Sequence, residues 1–271
     1  MDIDVVIATS DSIADKDFGL YFTIRSILSQ NIQPKTILVV ENTNYARTKA
    51  ALDLEFGKLV SVIDGSRKPK NISFIRNLGV SYSQADLILF MDDDVVIARN
   101  NCLETILHQM RNLDFYCGAN RYWSQKHWST QLKREYTMNH IQNILKATSF
   151  LPNSIDRQSG NKIYHHRTFI GHFGCVQRQI FEQLNGFDES FTGWGYQDTD
   201  FMFRLVNESK TYDIMAFDGL GVFHLNHSVD KSEHLSTNKL RFESRQQSAG
   251  VLFSLDSFFG EFLNDKFDII S

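Results

Sequence analysis

The chain has 271 residues, 42% of them hydrophobic and 13% aromatic, enough apolar material for one sizeable globular core, which excludes intrinsic disorder. A formal charge of −4 supplies no basic excess for a phosphate backbone, so nucleic acid is excluded as the main partner and a small or neutral one is expected. Three cysteines, Cys102, Cys117 and Cys175, form an odd set without paired spacing, which argues against a disulfide framework or a structural zinc site.

The opening MDIDVVIATS is acidic and runs straight into an apolar strand pattern, whereas a secretory signal begins basic, so a cytoplasmic setting is expected. Short Val- and Ile-rich runs then alternate with helix-period segments: IDVVIAT, Leu20/Ile24/Ile27/Leu28, TILVV, a segment from about Ala46 to Phe56, and LVSVI. A further helix carries Ile75, Leu78, Gly79 and Tyr82 and leads into the apolar strand DLILFM. This alternation predicts βαβ units and a mainly parallel sheet over the first hundred residues.

Beyond that point the pattern loosens. A helix is expected near Gln131 to Thr148, followed by the polar loop PNSIDRQSGNK, a strand at TFIGHFGCV and a short helix at RQIFEQL. NGFDESFTGWGYQ reads as a long irregular loop, a class that often carries function. Strands at YDIMAF and LGVFHL and a polar helix from about Ser236 complete the series. No apolar run is long enough to span a membrane. The tail GVLFSLDSFFGEFLNDKFDII could lie on a membrane surface as an amphipathic helix, but its polar face lacks Lys and Arg, so packing against its own domain is favoured.

In open α/β sheets ligands bind beyond the carboxyl ends of the strands. Asp92, Asp93 and Asp94 stand there, and three adjacent carboxylates repel one another unless donors or a hard divalent cation are present. The competing reading is a solvated turn capping a following helix. Alternation along an extended chain would put Asp92 and Asp94 on one side and Asp93 on the other. Neither G-x-G-x-x-G nor a P-loop occurs, so a diphosphate would be held by the cation, with Arg76 and Asn77 as helpers. In GWGYQDTDF, acidic side chains suit the first turn of a helix starting at about Gln197, while glycines around Trp194 suit a mobile aromatic that stacks on a sugar ring. A Trp in a core loop is the plainer alternative. His224 and His227 follow a late strand, and neutral imidazole is a common metal ligand; strand-end position alone favours His224. His127, His140, His165, His166 and His172 read as surface or core histidines.

VVIATSD, SILSQNIQPKTILVVEN, FIRNLGVSYSQADLILFMDDD, GCVQRQIFEQLNGFDESFTGWGYQDTDFMFRL and HLNHSVDK span roughly Asp4 to Lys231. In this order and spacing they resemble the GT-A fold glycosyltransferases of family 2, with a C-terminal half similar to the β-1,4-galactosyltransferase and chondroitin-polymerase type. The resemblance implies a Rossmann-like α/β fold, a mainly parallel sheet flanked by helices in a single compact domain. Residues 1–235 would form the glycosyltransferase domain, with 1–100 its nucleotide-binding half and 101–235 its acceptor and catalytic half; 236–271 would be a helical extension.

It further implies that Asp92 and Asp94 form the D-x-D that holds Mn²⁺ or Mg²⁺ on a nucleotide diphosphate, with Asp93 between them at the donor. Thr9 and Asp11 would lie near base and ribose, and Glu41 would take the place of an acidic nucleobase contact that is usually Asp. Trp194 and Gly195 would lie at the sugar and acceptor, and Asp198 would be the catalytic base. On a helix, residues two apart do not share a face, so Asp200 is left to brace the helix start or pair with Arg204. The sequence around His227 matches the galactosyltransferase metal histidine, which makes His227 the expected ligand and His224 its rival. Gln197 departs from the family's usual Glu and leaves the acceptor's identity open.

The expected activity is metal-dependent, inverting transfer from a UDP-sugar to a hydroxyl of a glycan, glycolipid or glycoprotein acceptor, in the cytoplasm or at the inner face of a membrane with peripheral association. The alternatives are a sugar-phosphate nucleotidylyltransferase, whose glycine-rich basic loop is missing from ATSDSIADKD, and a non-catalytic nucleotide-sugar-binding module.

Overall fold

The structure, a computed structural model, describes residues 1–10, 19–97, 99–117, 120–123, 163–165, 171–193, 195–209, 211–213, 221–224 and 234–248. Strands β1 (Ile3–Thr9), β2 (Thr36–Glu41), β3 (Val60–Asp64) and β4 (Leu87–Asp92) pair in parallel in the order β3-β2-β1-β4. Helices α1 (Gly19–Leu28), α2 (Tyr45–Phe56) and α3 (Ile72–Tyr82) lie between them in the chain, giving the doubly wound half that the alternating pattern predicts.

Burial on both faces explains why these strands are continuously apolar rather than alternating. Val5, Ile7, Leu87, Leu89 and Met91 pack with Leu20, Ile24 and Ile27 of α1 on one face. Val6, Ile88 and Phe90 pack with Phe74 and Ile75 of α3 on the other. Asn71 caps α3 by accepting the backbone N–H of Phe74 at 2.9 Å, and Gly79 lets that helix press against Val6 of β1.

The second half adds β5 (Val95–Ile97), α4 (Cys102–Gln109), β6 (Phe115–Cys117), β7 (Asn120–Trp123), β8 (Ile163–His165), β9 (Phe173–Gln177), α5 (Arg178–Gln183), α6 (Gln197–Glu208), β10 (Tyr212–Asp213), β11 (Gly221–His224) and α7 (Leu235–Ser248). Strand β9 inserts antiparallel between β4 and β6, extending the main sheet to β10-β6-β9-β4-β1-β2-β3. A smaller sheet runs β5-β11-β7-β8. Phe181 of α5 and Phe201, Met202 and Leu205 of α6 join the α3 face of the core. Cys102 and Cys175 are buried free thiols, as their spacing leads one to expect.

Two expectations need correction. The triple aspartate does not continue as extended chain: β4 stops at Asp92, Asp93 and Asp94 form a turn, and β5 follows, so neither strand alternation through Asp94 nor a capped helix directly after it holds. The turn is fixed because the Asp93 carbonyl accepts the Thr23 hydroxyl of α1 at 3.0 Å. In the strand expected over TFIGHFGCV, Gly171 and His172 form a turn and β9 starts at Phe173, while residues 168–170 lie outside the described residues. The helix expected near Gln131 to Thr148, the PNSIDRQSGNK loop and the tail from Gly250 lie outside the described residues. Among the described residues no helix is long and apolar enough to cross a membrane.

Candidate active site at the carboxyl ends of β1 and β4

Strand β1 lies between β2 and β4, so the crossovers on its two sides diverge and open a crevice at the carboxyl ends of β1 and β4. The register sets Ala8 opposite Asp92, which brings Thr9 to the triple aspartate. Thr9 donates its hydroxyl to Asp93 at 2.6 Å, and Gly19 at the start of α1 rests against the backbone of Asp93 and Asp94. Of the three carboxylates, Asp93 is therefore drawn toward β1.

Asp92 turns the other way. Its Oδ1 accepts Nη2 of Arg76 at 3.1 Å, while Nη1 of the same guanidinium donates to Oδ1 of Asp198 at 2.6 Å. Arg76 is 2% exposed and stacks over the Phe187 ring at 5.2 Å. Burial opposes its charge, but the Asp198 and Asp92 carboxylates outweigh that and hold it above the usual arginine value. Burial pushes the Asp198 carboxyl above the ordinary range; Arg76 opposes this, the Asp92 charge adds to it, and the Gly171 N–H pulls back down. Gly171 also leaves room for the guanidinium, because a Cβ there would overlap it. The neighbouring His172 carbonyl accepts the backbone N–H of Asp92 at 3.3 Å. Gly171 and His172 thus belong to the site, although the sequence marked both as part of a strand and His172 as a surface or core histidine; the glycine in FIGHFG was the available signal.

Asp198 gets its place from the start of α6. Gly193 (φ 65°), Gly195 (φ 103°) and Tyr196 (φ 66°) all take positive φ, so the chain turns sharply before Gln197. Asp200 faces away from Asp198: it is fully buried and accepts Nε of Arg204 at 3.0 Å and the guanidinium of Arg245 from α7. The expected pairing of Asp200 with Arg204 is thus present. Asn238 of α7 donates to the carbonyls of Thr192 at 2.9 Å and Gly195 at 3.0 Å.

Other predicted residues are committed locally. Glu41 is buried at the end of β2 and accepts from the backbone of Thr43 and Asn44 and from the hydroxyls of Thr43 and Thr48, bracing its own loop. Asn77 clamps the segment before α6, donating to the Phe187 carbonyl and to Glu189 and accepting the Phe187 N–H. Strand β11 pairs antiparallel with β5, setting His224 opposite Val95, one residue past Asp94. Asp11, Trp194 and His227 lie outside the described residues.

Carboxylate oxygens are the ligands that Mg²⁺ and Mn²⁺ prefer, so the chemistry of Asp92 and Asp94 suits a hard cation, but Asp92 is paired with Arg76 and Asp93 with Thr9, and among the described residues no three His, Cys, Asp or Glu side chains are gathered closely enough to hold one.

The glycosyl transferase family 2 model matches residues 19–184, more than half of the chain. The chain belongs to glycosyl transferase family 2. A second model, the N-terminal domain of galactosyltransferase, matches residues 154–228, the part that leads into and includes α6. A Drosophila melanogaster β-1,4-galactosyltransferase 7 is 38% identical over 42 residues, which is 16% of this chain and 13% of that relative. S. aureus TarS 1-349 in complex with UDP-GlcNAc superposes with a TM-score of 0.58 at 14% identity, covering 88% of this chain and 61% of that one. TarS 1-349 solved by itself gives a TM-score of 0.56 at 12% identity over 98% and 76% of the two chains. The fold shared with these structures is GT-A, as the sequence resemblance leads one to expect.

Proposed function

We propose that this family 2 protein transfers a sugar from a UDP-sugar to a hydroxyl group of a glycan, glycolipid or glycoprotein acceptor, with inversion at the anomeric carbon. The observation that carries the reading is the meeting of Asp92 from β4 and Asp198 from α6 on the buried guanidinium of Arg76, because it sets a donor-side and an acceptor-side carboxylate at one point. The TarS complex contains UDP-GlcNAc, and the galactosyltransferase match falls on the half that carries Asp198; both support a nucleotide-sugar donor.

Asp92 and Asp94 would hold Mn²⁺ or Mg²⁺, with His227, or its rival His224, completing the set from the end of β11. A cation held there would supply positive charge to neutralise the diphosphate of the leaving group. Thr9, Asp11 and Asp93 would line the nucleoside side. Glu41 would reach the nucleobase only through the loop it braces. Arg76 would orient Asp92 and Asp198 on either side of the transferred group, while Asn77 steadies the segment leading to α6. Trp194 and Gly195 would face the sugar and acceptor. Asp198 would take the proton of the attacking hydroxyl as the new glycosidic bond forms and the bond to UDP breaks. A carboxyl held above its ordinary range is better matched to that task than an exposed aspartate. Attack from the face opposite UDP inverts the anomeric centre. A cytoplasmic setting, at the inner membrane face for a lipid-linked acceptor, accompanies this reading.

The test combines calorimetry of UDP binding with a transfer assay over a panel of UDP-sugars. UDP should bind with Mn²⁺ and lose its affinity in excess chelator. Asp198→Asn should keep UDP–Mn²⁺ affinity while transfer falls by ~100-fold or more. Transfer that survives this substitution, or product NMR showing retained anomeric configuration, would overturn the proposal.

A further inference from the structure

Helix α7 is polar along most of its length and buries two residues, Asn238 and Phe242, four apart on one face. Phe242 packs against Phe191, Phe203 and Tyr196. Asn238 is 1% exposed, and an amide buried so deeply in a helix interior has to find partners. It uses its Nδ2 donors on the carbonyls of Thr192 and Gly195, which straddle position 194.

Helix α7 and His234 just before it close the loop from other sides. The His234 ring occupies the space a Cβ at Gly193 would need, and Leu235 comes within 2.6 Å of one at Gly195. Beyond Asn238, Arg245 pairs with Asp188 before the loop and with Asp200 after it. On the opposite flank the Gly193 N–H meets the Lys70 carbonyl at 3.3 Å. Positive φ costs Gly193 and Gly195 little, but Tyr196 at φ 66° sits in a region sparsely populated by residues with a Cβ, so its backbone persists only where its surroundings fix it.

We infer that Asn238 is a positioning residue for the acceptor side of the reaction: its amide holds the backbone at Thr192 and Gly195, on either side of position 194, and thereby sets where an acceptor hydroxyl meets Asp198. The consequence for transfer rests on the function proposed above; the consequence for the loop does not.

Hydrogen exchange and kinetics of Asn238→Ala test it, with Leu240→Ala, at an exposed position on the same helix, as control. Amides in peptides spanning Phe191–Tyr196 should exchange roughly tenfold faster in Asn238→Ala, with β1 and β4 peptides unchanged. The acceptor KM should rise, or kcat fall, by roughly tenfold, while UDP–Mn²⁺ affinity and slow hydrolysis of the donor by water stay within about twofold. Asn238→Ser, which keeps one donor, should fall between, and it carries the same comparison if the alanine variant does not fold. Unchanged exchange in the loop, or donor hydrolysis falling in step with transfer, would overturn the inference. If the unsubstituted protein binds no UDP, the proposed function fails and the exchange measurement alone decides the role of Asn238.

Discussion

The guanidinium of Arg76 stays charged in the core because Asp92 and Asp198 face it from two different elements, with Gly171 leaving the room it needs. Gly171→Ala would drive a Cβ into a side chain that two carboxylates and Phe187 hold in place. Overpacking of this kind costs ~1–3 kcal/mol. The expected result is a lower melting temperature together with at least a ~10-fold loss of transfer, read by calorimetry and assay. The raised Asp198 carboxyl makes a separate prediction. The proposed base must be ionised to take a proton, so the acid limb of kcat/KM should lie above 3.8, the ordinary aspartate value, and should vanish with the residual activity of Asp198→Asn. At this scale the sequence was partly legible. Asp92, Arg76 and Asp198 each stood out by position, but the salt bridge joining them links residues 122 apart, and no local spacing encodes it. The satisfaction of Glu41 by its own ENTN loop was written in the adjacent Thr and Asn, which donate readily to a nearby carboxylate.

Helix α6 divides its two first-turn aspartates between tasks. Asp198 faces the crevice, while Asp200 anchors the helix between Arg204 and Arg245. Removing the charge of a fully buried carboxylate takes from Arg204 the carboxylate it pairs with and leaves Arg245 with Asp188 alone, a loss of ~3 kcal/mol or more. Asp200→Asn should therefore lower the melting temperature by ~6–12 °C, yet at 20 °C leave UDP–Mn²⁺ affinity within about twofold. A large loss of UDP affinity with little change in melting would show that Asp200 belongs to the binding site instead. The pairing with Arg204 was legible because four residues make one helical turn; the pairing with Arg245 was not, since it joins two helices 45 residues apart. Strand direction was hidden in the same way. A buried strand such as β9 is apolar whether it runs parallel or antiparallel, so periodicity gave its existence but not its insertion against β4 and β6.

Across the whole molecule, the βαβ alternation of the half built from β1 to β4 was open to reading from the sequence, but its order was not, because β4 pairs with β1 and not with β3, which precedes it in the chain. Nor was the second sheet, because β5 finds its partner in β11, with Val95 opposite His224. That pairing also dictates a timetable during synthesis. Once Asp92 has left the ribosome, the parallel strands β1 to β4 have all emerged, whereas Val95–Ile97 must wait for Gly221–His224, and Arg76 must wait for Asp198. A nascent chain stalled between these points would display the apolar triplet Val95–Ile97 as a bare strand edge, open to pairing with a neighbouring chain until a chaperone or β11 covers it.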